Sequence, residues 1–561
     1  MCGIFVSCGP NISFSNHERL TKLLYHRGPD NQKNLKINDK LIFGHTRLSI
    51  IDLSDKSNQP FRDKHSITIF NGLIYNYLEI KKKLKNLYNF KTHSDTEVIS
   101  AAYSIWKKNC FKHLNGMFSI IIYDLITKEI IVARDRLGIK PLYYREHGRN
   151  IYFSSEIKPL LKLGRYHQDY QTVHNYFKYS FYEDVDKTFF REIKQFLPNH
   201  YYVIKNEKIS YKKCYWDLKK RINIQKKIHS LDAAKSFFSS QFDRVSDYYS
   251  RADRKIGLLY SSGLDSNFIL SLLNKKEKNI SLLLTFGFVA KNIEDETALV
   301  KNDHVQNFIH RFKIDEFLSQ VSKIQLEQEM PWGGPNVFFQ GYLMQKAKDL
   351  GHKVIISADG ADEIFGGYNK YLNLKKVNAD YVNKAIDNSM PYSTNIFKKN
   401  FSLDKKIKFN LPNKNNFDCA RYLDITFSKL PRNFRFSDRY SMSKSIELRY
   451  PFLDHELIEA SFMLSEKLMI NKNQNKIIMR QFFKSKRKKK HINSPQTEWF
   501  YDKKFKKIMS NICDDSPIFE KVLDNKKTKK YFDYFYDKKR DNSFKMWQIY
   551  NYDLWLKTFF N

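Results

Sequence analysis

Long apolar runs are missing from this chain. None approaches the roughly 18 consecutive apolar residues that a membrane span needs, and the apolar stretch Ser281–Ala290 is strand-sized. No membrane partner is therefore expected. Proline and glycine are sparse, at 14 and 19 in 561 residues, which excludes collagen-like or linker-rich architecture. The start Met-Cys-Gly-Ile-Phe-Val has no basic n-region and no long apolar h-region, so no signal peptide is read there. Six cysteines (Cys2, Cys8, Cys110, Cys214, Cys419, Cys513) are scattered without CxxC or metal-ligand spacing. That argues against a disulfide framework and a zinc site, and makes a reducing cytoplasm the expected compartment. Acidic residues are also in short supply: 60 Asp+Glu against 97 Lys+Arg leave a net charge of +37.

What is present suits a globular chain. Hydrophobic residues make up 42% and aromatics 15%, ample for sizeable cores and incompatible with disorder. The length fits three or four folding units, or two larger ones. A basic chain raises nucleic acid as a partner, but the lysines are spread along the sequence among Asn, Ile, Tyr and Phe. The densest patch, Lys484–Lys490, reads as a solvated loop. Nucleic acid is not an expected partner.

The first two hundred residues read as strand-rich. Ser66–Phe70 is a β-branched run ending in the turn dipeptide Asn71-Gly72. Phe118–Leu125 and Glu129–Arg134 read as a hairpin, and Asp95–Asn109 as a helix capped by Ser94 or Asp95. After a boundary near 210–230 the pattern changes. Apolar strands at Lys255–Tyr260, Ile280–Phe286 and Lys353–Ser357 alternate with helical runs, and two of them end in Gly/Ser/Asp loops, as in a parallel α/β sheet. Ligands of such sheets sit beyond the carboxyl ends of the strands. Residues 370–415 read as helical or loop insertions.

Cys2 becomes the first residue once the initiator Met is removed. Its own α-amine, with a pKa of about 7.7–8.0, can then take the thiol proton, so a nucleophilic thiolate needs no His partner. Downstream follow Tyr25-His26-Arg27-Gly28-Pro29-Asp30, Gly44-His45-Thr46-Arg47-Leu48-Ser49-Ile50, Phe70-Asn71-Gly72-Leu73-Ile74-Tyr75-Asn76 and Ser94-Asp95-Thr96-Glu97. This set resembles the N-terminal-nucleophile glutaminase domain of class II amidotransferases. The blocks Arg134–Tyr144 and Phe153–Lys158 point to its asparagine synthetase branch. The resemblance implies that Cys2 is the nucleophile and that Asn71 and Gly72 form the oxyanion hole. It also implies that Arg47 and Asp95 hold the α-carboxylate and α-ammonium of glutamine, with Leu48, Asn71 and Gly72 completing that pocket. Leu73 departs from the family's Glu.

Ser261-Ser262-Gly263-Leu264-Asp265-Ser266 resembles the pyrophosphate loop of ATP pyrophosphatases, with Ser262 in place of Gly; it lacks the Gly-Lys-Ser/Thr ending of a P-loop. Ser357-Ala358-Asp359-Gly360-Ala361-Asp362-Glu363 resembles the second synthetase block, with Ala358 in place of Gly. By this match Ser261, Ser262, Gly263, Asp265, Ser266, Ser357 and Ala358 would bind ATP. Asp265 and Asp362 would ligate Mg²⁺, and Asp359 would act at the acyl-transfer step. Lys476 would neutralise growing phosphate charge. Glu363 is the expected partner of an acceptor ammonium, whereas Trp332, Asn336 and Gln340 could line a sugar site. Asp438, Arg439 and Arg449 read as a structural ion-pair network.

The resemblance spans essentially the whole chain. It implies an N-terminal Ntn-hydrolase αββα glutaminase domain over 2–215 and an α/β ATP-pyrophosphatase-type synthetase domain over 225–561, an α+β and α/β pair. The expected reaction is glutamine- and ATP-dependent amidation of aspartate, with ammonia passing between the domains along apolar walls. A carboxylate such as a sugar uronate is the alternative acceptor. Expected cofactors are ATP and Mg²⁺, and a homodimer is left open.

Overall fold

A computed structural model describes residues 2–182, 185–261, 263–274, 280–287, 306–372, 374, 396–398, 401, 409–483, 496–537 and 543–560. Ser262, Lys484–Lys490 and most of 370–415 therefore lie outside the described residues.

The N-terminal unit contains β1 (Cys2–Cys8), β2 (Asn31–Asn38), β3 (Leu41–Arg47), β4 (Phe61–Arg62), β5 (Ser66–Ile74) and β6 (Gly116–Asp124). It continues with β7 (Ile130–Arg134), β8 (Tyr143–His147), β9 (Asn150–Ser154), β10 (Lys194–Gln195), β11 (His200–Lys205) and β12 (Lys208–Cys214). They form two six-stranded antiparallel sheets, ordered β10-β8-β9-β1-β3-β2 and β12-β11-β7-β6-β5-β4. Inward-facing Ile4, Val6, Phe43, Ile69, Ile121 and Val132 pack between the sheets and are essentially water-free. Alternate residues of β1 and β5 instead face the helices Phe14–Lys22 and Asp95–Trp106, which cover the two outer faces. Because both faces of each sheet are covered, β1 and β5 read as near-continuous apolar runs rather than as alternating strands. The layering is αββα.

The C-terminal unit is built on β13 (Ile256–Leu259), β14 (Ile280–Gly287), β15 (Gln306–Arg311), β16 (Val354–Ile356) and β17 (Glu447–Arg449). All four strand pairs are parallel, in the order β15-β14-β13-β16-β17. Chain order reverses at β13, which has β14 on one side and β16 on the other. The loops leaving β13 and β16 thus open at a topological switch point, where open α/β sheets place their ligands.

One expectation needs correction. Asn71-Gly72 is not a turn: β5 runs through it to Ile74, pairing Asn71 with Ser119 and Gly72 with Phe118. Glycine is needed there for packing, since its φ is 153° and a Cβ would lie 2.0 Å from the Met117 carbonyl oxygen. The contact between the units also carries paired charges. Arg27 Nη1 lies 2.8 Å from both Glu156 and Asp438, and Arg439 Nη2 lies 2.8 Å from Glu329. Glu329 also accepts the backbone N–H groups of Ile157 and Lys158 at 2.9 and 2.7 Å. The charges are paired because unpaired ions here would cost several kcal/mol each, of order 3–5. This is the structural network read for Asp438 and Arg439. Arg449 makes a separate pair, holding Glu447 at 2.7 Å and donating to the Tyr249 and Arg251 carbonyls.

Candidate active sites

The first cluster forms where β1 begins. Cys2 is buried opposite Arg47 in the β1–β3 register. Its backbone N–H donates to Asn71 Oδ1 at 3.0 Å, and its carbonyl accepts Arg27 Nε at 3.0 Å. An amide that spends its oxygen on Cys2 presents its nitrogen to the space beyond, and Asn71 Nδ2 is buried with no partner among the described residues. A buried unsatisfied donor costs about 1–3 kcal/mol, so an acceptor atom arriving at that point is favoured. Arg47 is held by the turn after β3, donating to the Ser54 carbonyl and Asn58 Oδ1 at 2.9 and 2.8 Å and to the Asp52 carbonyl. Leu48 and Leu73 are both buried in the core.

Asp95 opens its helix behind the Ser94 cap, whose hydroxyl accepts Thr96 N–H at 3.1 Å. Its carboxylate accepts Ile74 N–H at 3.1 Å, yet burial pushes its pKa up to about 7, with Glu447 of the other unit adding to the rise. A buried carboxyl so raised favours a cationic partner.

The second cluster lies in a cavity of about 270 Å³ at the switch point, lined by Ser261, Asp265, Ser266, Ser357, Ala358 and Asp359 among others. Ser261 and Ser266 are cross-linked: Ser261 N–H donates to Ser266 Oγ at 3.1 Å, and that hydroxyl donates to the Ser261 carbonyl at 2.6 Å. Gly263 N–H donates to Ser261 Oγ at 3.2 Å. Ala358 is not among the residues with positive φ, which is why a side chain is tolerated where the family has glycine. Asp359 faces the cavity and accepts Ser357 Oγ at 2.9 Å. Withdrawal from bulk water, then the neighbouring Asp362 and Asp265, hold its carboxyl above the usual aspartate range.

Lys476 closes this cluster. Its ammonium lies 2.6 Å from Asp265 and 2.6 Å from Asp362. Burial opposes its charge, but the two carboxylates prevail and raise its pKa. Gly367 makes the approach feasible, since a Cβ there would lie 1.8 Å from Asp362 Oδ1 and 2.3 Å from Lys476 Cε. Two carboxylates within reach of one cation suit a hard metal ion as well as an ammonium. Among the described residues no group of three or more His, Cys, Asp or Glu side chains could hold a metal. An ion at this point must complete its shell with phosphate and water oxygens, as Mg²⁺ does.

Glu363 lies at the same cavity, accepting Tyr368 OH at 2.7 Å with Lys429 Nζ at 4.0 Å. Burial raises its pKa to about 7. Lys429 Nζ stands 3.3 Å over the Tyr368 ring. Of the three residues considered for a sugar site, only Gln340 lines the cavity, with a buried Oε1 that has no partner among the described residues. Asn336 is exposed, and Trp332 is fully buried 4.9 Å from Trp547, donating to Gln325. Sequence reading assigned no role to Arg27, Tyr368, Asn433 or Lys429. Arg27 stood inside a quoted block and Tyr368 closes the block that begins at Ser357; Asn433 and Lys429 carry no motif signal.

Comparison with known proteins finds a family match for each of the two units. Residues 1–216 match the glutamine amidotransferase domain and residues 240–557 match asparagine synthase. The chain is 32% identical over 409 residues to a putative glutamine-hydrolysing asparagine synthetase 2 of Methanocaldococcus jannaschii, covering 66% of this chain and 76% of that protein. It is 25% identical to the glutamine-hydrolysing asparagine synthetase 1 of Bacillus subtilis, over 96% of this chain and 93% of that one. It is also 29% identical to the amidase chry2 of Gibberella zeae, over 62% of this chain and 54% of that protein.

Proposed function

The chain belongs to the asparagine synthase family as a glutamine-dependent amidotransferase, and we propose that the carboxylate it amidates is that of aspartate. The observation that carries this reading is the Glu363 carboxylate in the lining of the cavity that holds Asp265 and Asp362, with the Lys429 ammonium, itself outside that lining, 4.0 Å from it. An α-amino acid brings both an ammonium and a carboxylate, and leaving either buried and unpaired would cost about 2–5 kcal/mol. Glu363 takes the ammonium and Lys429 the α-carboxylate.

In this reading the Cys2 thiol attacks the glutamine amide after its own α-amine removes the proton. Arg47 and Asp95 hold the two ends of the amino acid. Asn71 Nδ2 and the Gly72 N–H receive the oxyanion, a task for which the unpartnered Asn71 nitrogen is suited. Collapse of the intermediate releases ammonia and leaves a thioester, which water hydrolyses to glutamate.

At the second site Ser261, Gly263, Ser266, Ser357 and Ala358 surround the ATP phosphates. Asp265 and Asp362 would hold Mg²⁺, which supplies charge neutralisation on the phosphates. The acceptor carboxylate displaces pyrophosphate from the α-phosphate, and Lys476 offsets the charge that grows there. Ammonia then attacks the acyl carbon and AMP leaves, with Asp359 placed to take a proton from the incoming nitrogen. The paired charges around Arg27 keep bulk water from the contact between the units, so ammonia passing there is not protonated by it.

Pyrophosphate release measured with a panel of carboxylates tests the acceptor. Aspartate at millimolar level should stimulate it. Stimulation by a uronate and not by aspartate would overturn the acceptor and leave the amidotransferase standing.

A further inference from the structure

Arg47 and Asp95 stand on different elements. Arg47 ends β3, and Asp95 begins the helix Asp95–Trp106. Asp52 reaches both. Its carbonyl accepts the Arg47 guanidinium. Its carboxylate accepts the His93 N–H at 2.7 Å, in the loop that leads into Asp95. One residue thus spans the pocket from its Arg47 side to its Asp95 side.

That double reach depends on an uncommon backbone. Asp52 has a φ of 51°, in the left-handed region that few residues besides Gly, Asn and Asp enter. Its own side chain supports the conformation: Oδ1 accepts the Ser54 N–H at 3.1 Å and the Ser54 hydroxyl at 2.6 Å, which leaves Oδ2 to His93. Burial opposes the charge of this carboxylate, but the hydrogen bonds from Ser54 and His93 prevail and hold its pKa down to about 2. It therefore accepts as an anion at neutral pH.

The N–H of Asp52 is taken by the C-terminal unit. It donates to Asp253 Oδ2 at 2.8 Å, and the Asp253 N–H donates back to the Ile50 carbonyl at 3.0 Å. This pair of bonds clips the backbone 50–52 to Asp253. The flanking arginines hold the same face: Arg254 Nε donates to the Ser49 carbonyl at 3.4 Å, and Arg251 Nη1 to the Tyr75 carbonyl at 2.7 Å. Tyr75 follows Ile74, whose N–H bonds Asp95 at 3.1 Å. Arg251 is fixed in turn by Glu79 at 2.7 Å and Asp247 at 2.6 Å. The segment 251–254, which leads into β13, thus touches the backbone on both sides of the glutamine pocket.

A pocket that must meet both charges of an amino acid at once is sensitive to the spacing of its two ligands. We propose, on the reading of Arg47 and Asp95 as the ligands of glutamine, that Asp52 is a positioning residue that keeps those two side chains at the required spacing, and that Asp253 of the C-terminal unit holds Asp52 in place. The N-terminal unit then carries the glutamine ligands, while the C-terminal unit sets how well they fit.

Glutaminase kinetics of the full chain test this. Asp52→Asn tolerates the same φ, but its amide cannot accept from both Ser54 and His93 as the carboxylate does. It should raise the KM for glutamine by about tenfold and keep kcat within about threefold, because Cys2, Asn71 and Gly72 are untouched. Asp253→Ala removes an exposed acceptor, so the melting temperature should stay near wild type while that KM rises by about fivefold. It decides the matter if Asp52→Asn does not fold. Asp253→Asn, whose amide oxygen can still accept the Asp52 N–H, should bring the KM back to within about twofold of wild type. A wild-type KM in either folded variant overturns the positioning role. So does a fall in kcat at unchanged KM, or an Asp253→Asn protein as impaired as Asp253→Ala. Arg47→Gln separates this from the premise. If Arg47→Gln leaves the KM for glutamine unchanged, the glutamine reading falls and the role of Asp52 with it. If Arg47→Gln raises that KM while Asp52→Asn and Asp253→Ala do not, the ligands stand and only the positioning role is refuted.

Discussion

The Lys476 ammonium and the Asp362 carboxylate stand 2.6 Å apart, which joins the loop after β16 to a residue more than a hundred positions later. The same ammonium bridges to Asp265 in the first turn of the helix Leu264–Asn274 that follows β13. One cation thus ties both phosphate-side loops together, and it can follow negative charge from the carboxylates to a reacting phosphate. Lys476→Met should lower pyrophosphate release by about 10²–10³-fold, the usual loss when one preorganised charge donor is removed. Asp265→Ala and Asp362→Ala should do likewise. Glutaminase turnover, housed on the other unit, should be largely kept, and unchanged pyrophosphate release in these variants would refute the assignment.

Asn71→Ala should cut glutaminase kcat by about 10²–10³-fold, since it removes a buried side-chain donor beside Cys2 that has no partner among the described residues. Cys2→Ala should abolish glutamine use altogether. Both proteins should still form product from free ammonium, because the second cavity is untouched. Loss of ammonium-dependent synthesis in a well-folded Cys2→Ala protein would contradict two separate sites.

Gly72→Ala is predicted to destabilise the N-terminal unit by about 2 kcal/mol or more, through strain at φ 153° and a Cβ 2.0 Å from the Met117 carbonyl oxygen. Thermal unfolding measures it. A melting temperature within a degree or so of wild type would mean that β5 relaxes more easily than its pairing with β6 suggests.

Much of both sites is legible in the sequence because short loops carry them. Ser357–Glu363 and Ser261–Ser266 each follow a strand, so strand periodicity alone places them at one end of a sheet. The helix at Asp95 is equally readable from its Ser94 cap. Asn71-Gly72 is misread as a turn because glycine was assigned to a bend, whereas its actual use is close backbone approach inside a strand. Trp332 is misread because an aromatic side chain beside a motif carries no sign of which way it faces. The Arg27–Asp438 pair spans 411 residues of sequence. No local pattern encodes such a contact, nor the approach of Lys429 to Glu363.

Glutamine binding should depend on pH through Asp95. Its pKa of about 7 in the ligand-free pocket means that the carboxyl is neutral below pH 7 and cannot pair with an α-ammonium. Affinity should therefore weaken as pH falls through 7, by up to about tenfold per unit. Binding of glutamine to Cys2→Ala by calorimetry avoids titration of the nucleophile, and a proton should be released on binding near pH 7. Asp95→Asn should bind weakly and without this pH dependence; an unchanged profile would remove Asp95 from the ammonium site.

The same reasoning applied to Glu363 separates the acceptors. Burial sets its pKa near 7 while Tyr368 and Lys429 stabilise the ionised form. An acceptor with an ammonium group binds the carboxylate form, pulls that pKa down and loses affinity as pH drops below 7. An acceptor without an amine, such as a uronate, gains no ion pair from ionised Glu363 and should bind at least as well at pH 6 as at pH 8. The KM for aspartate in pyrophosphate release should accordingly rise on acidification. Glu363→Gln should raise it by about tenfold or more at pH 8 and abolish the slope, with little change in the KM for ATP. A KM for aspartate that is flat or falls on acidification, together with a wild-type value in Glu363→Gln, would place the ammonium elsewhere. Lys429→Met supplies the complementary test: it should weaken aspartate through the α-carboxylate while leaving the direction of the pH slope intact, because Glu363 remains to titrate.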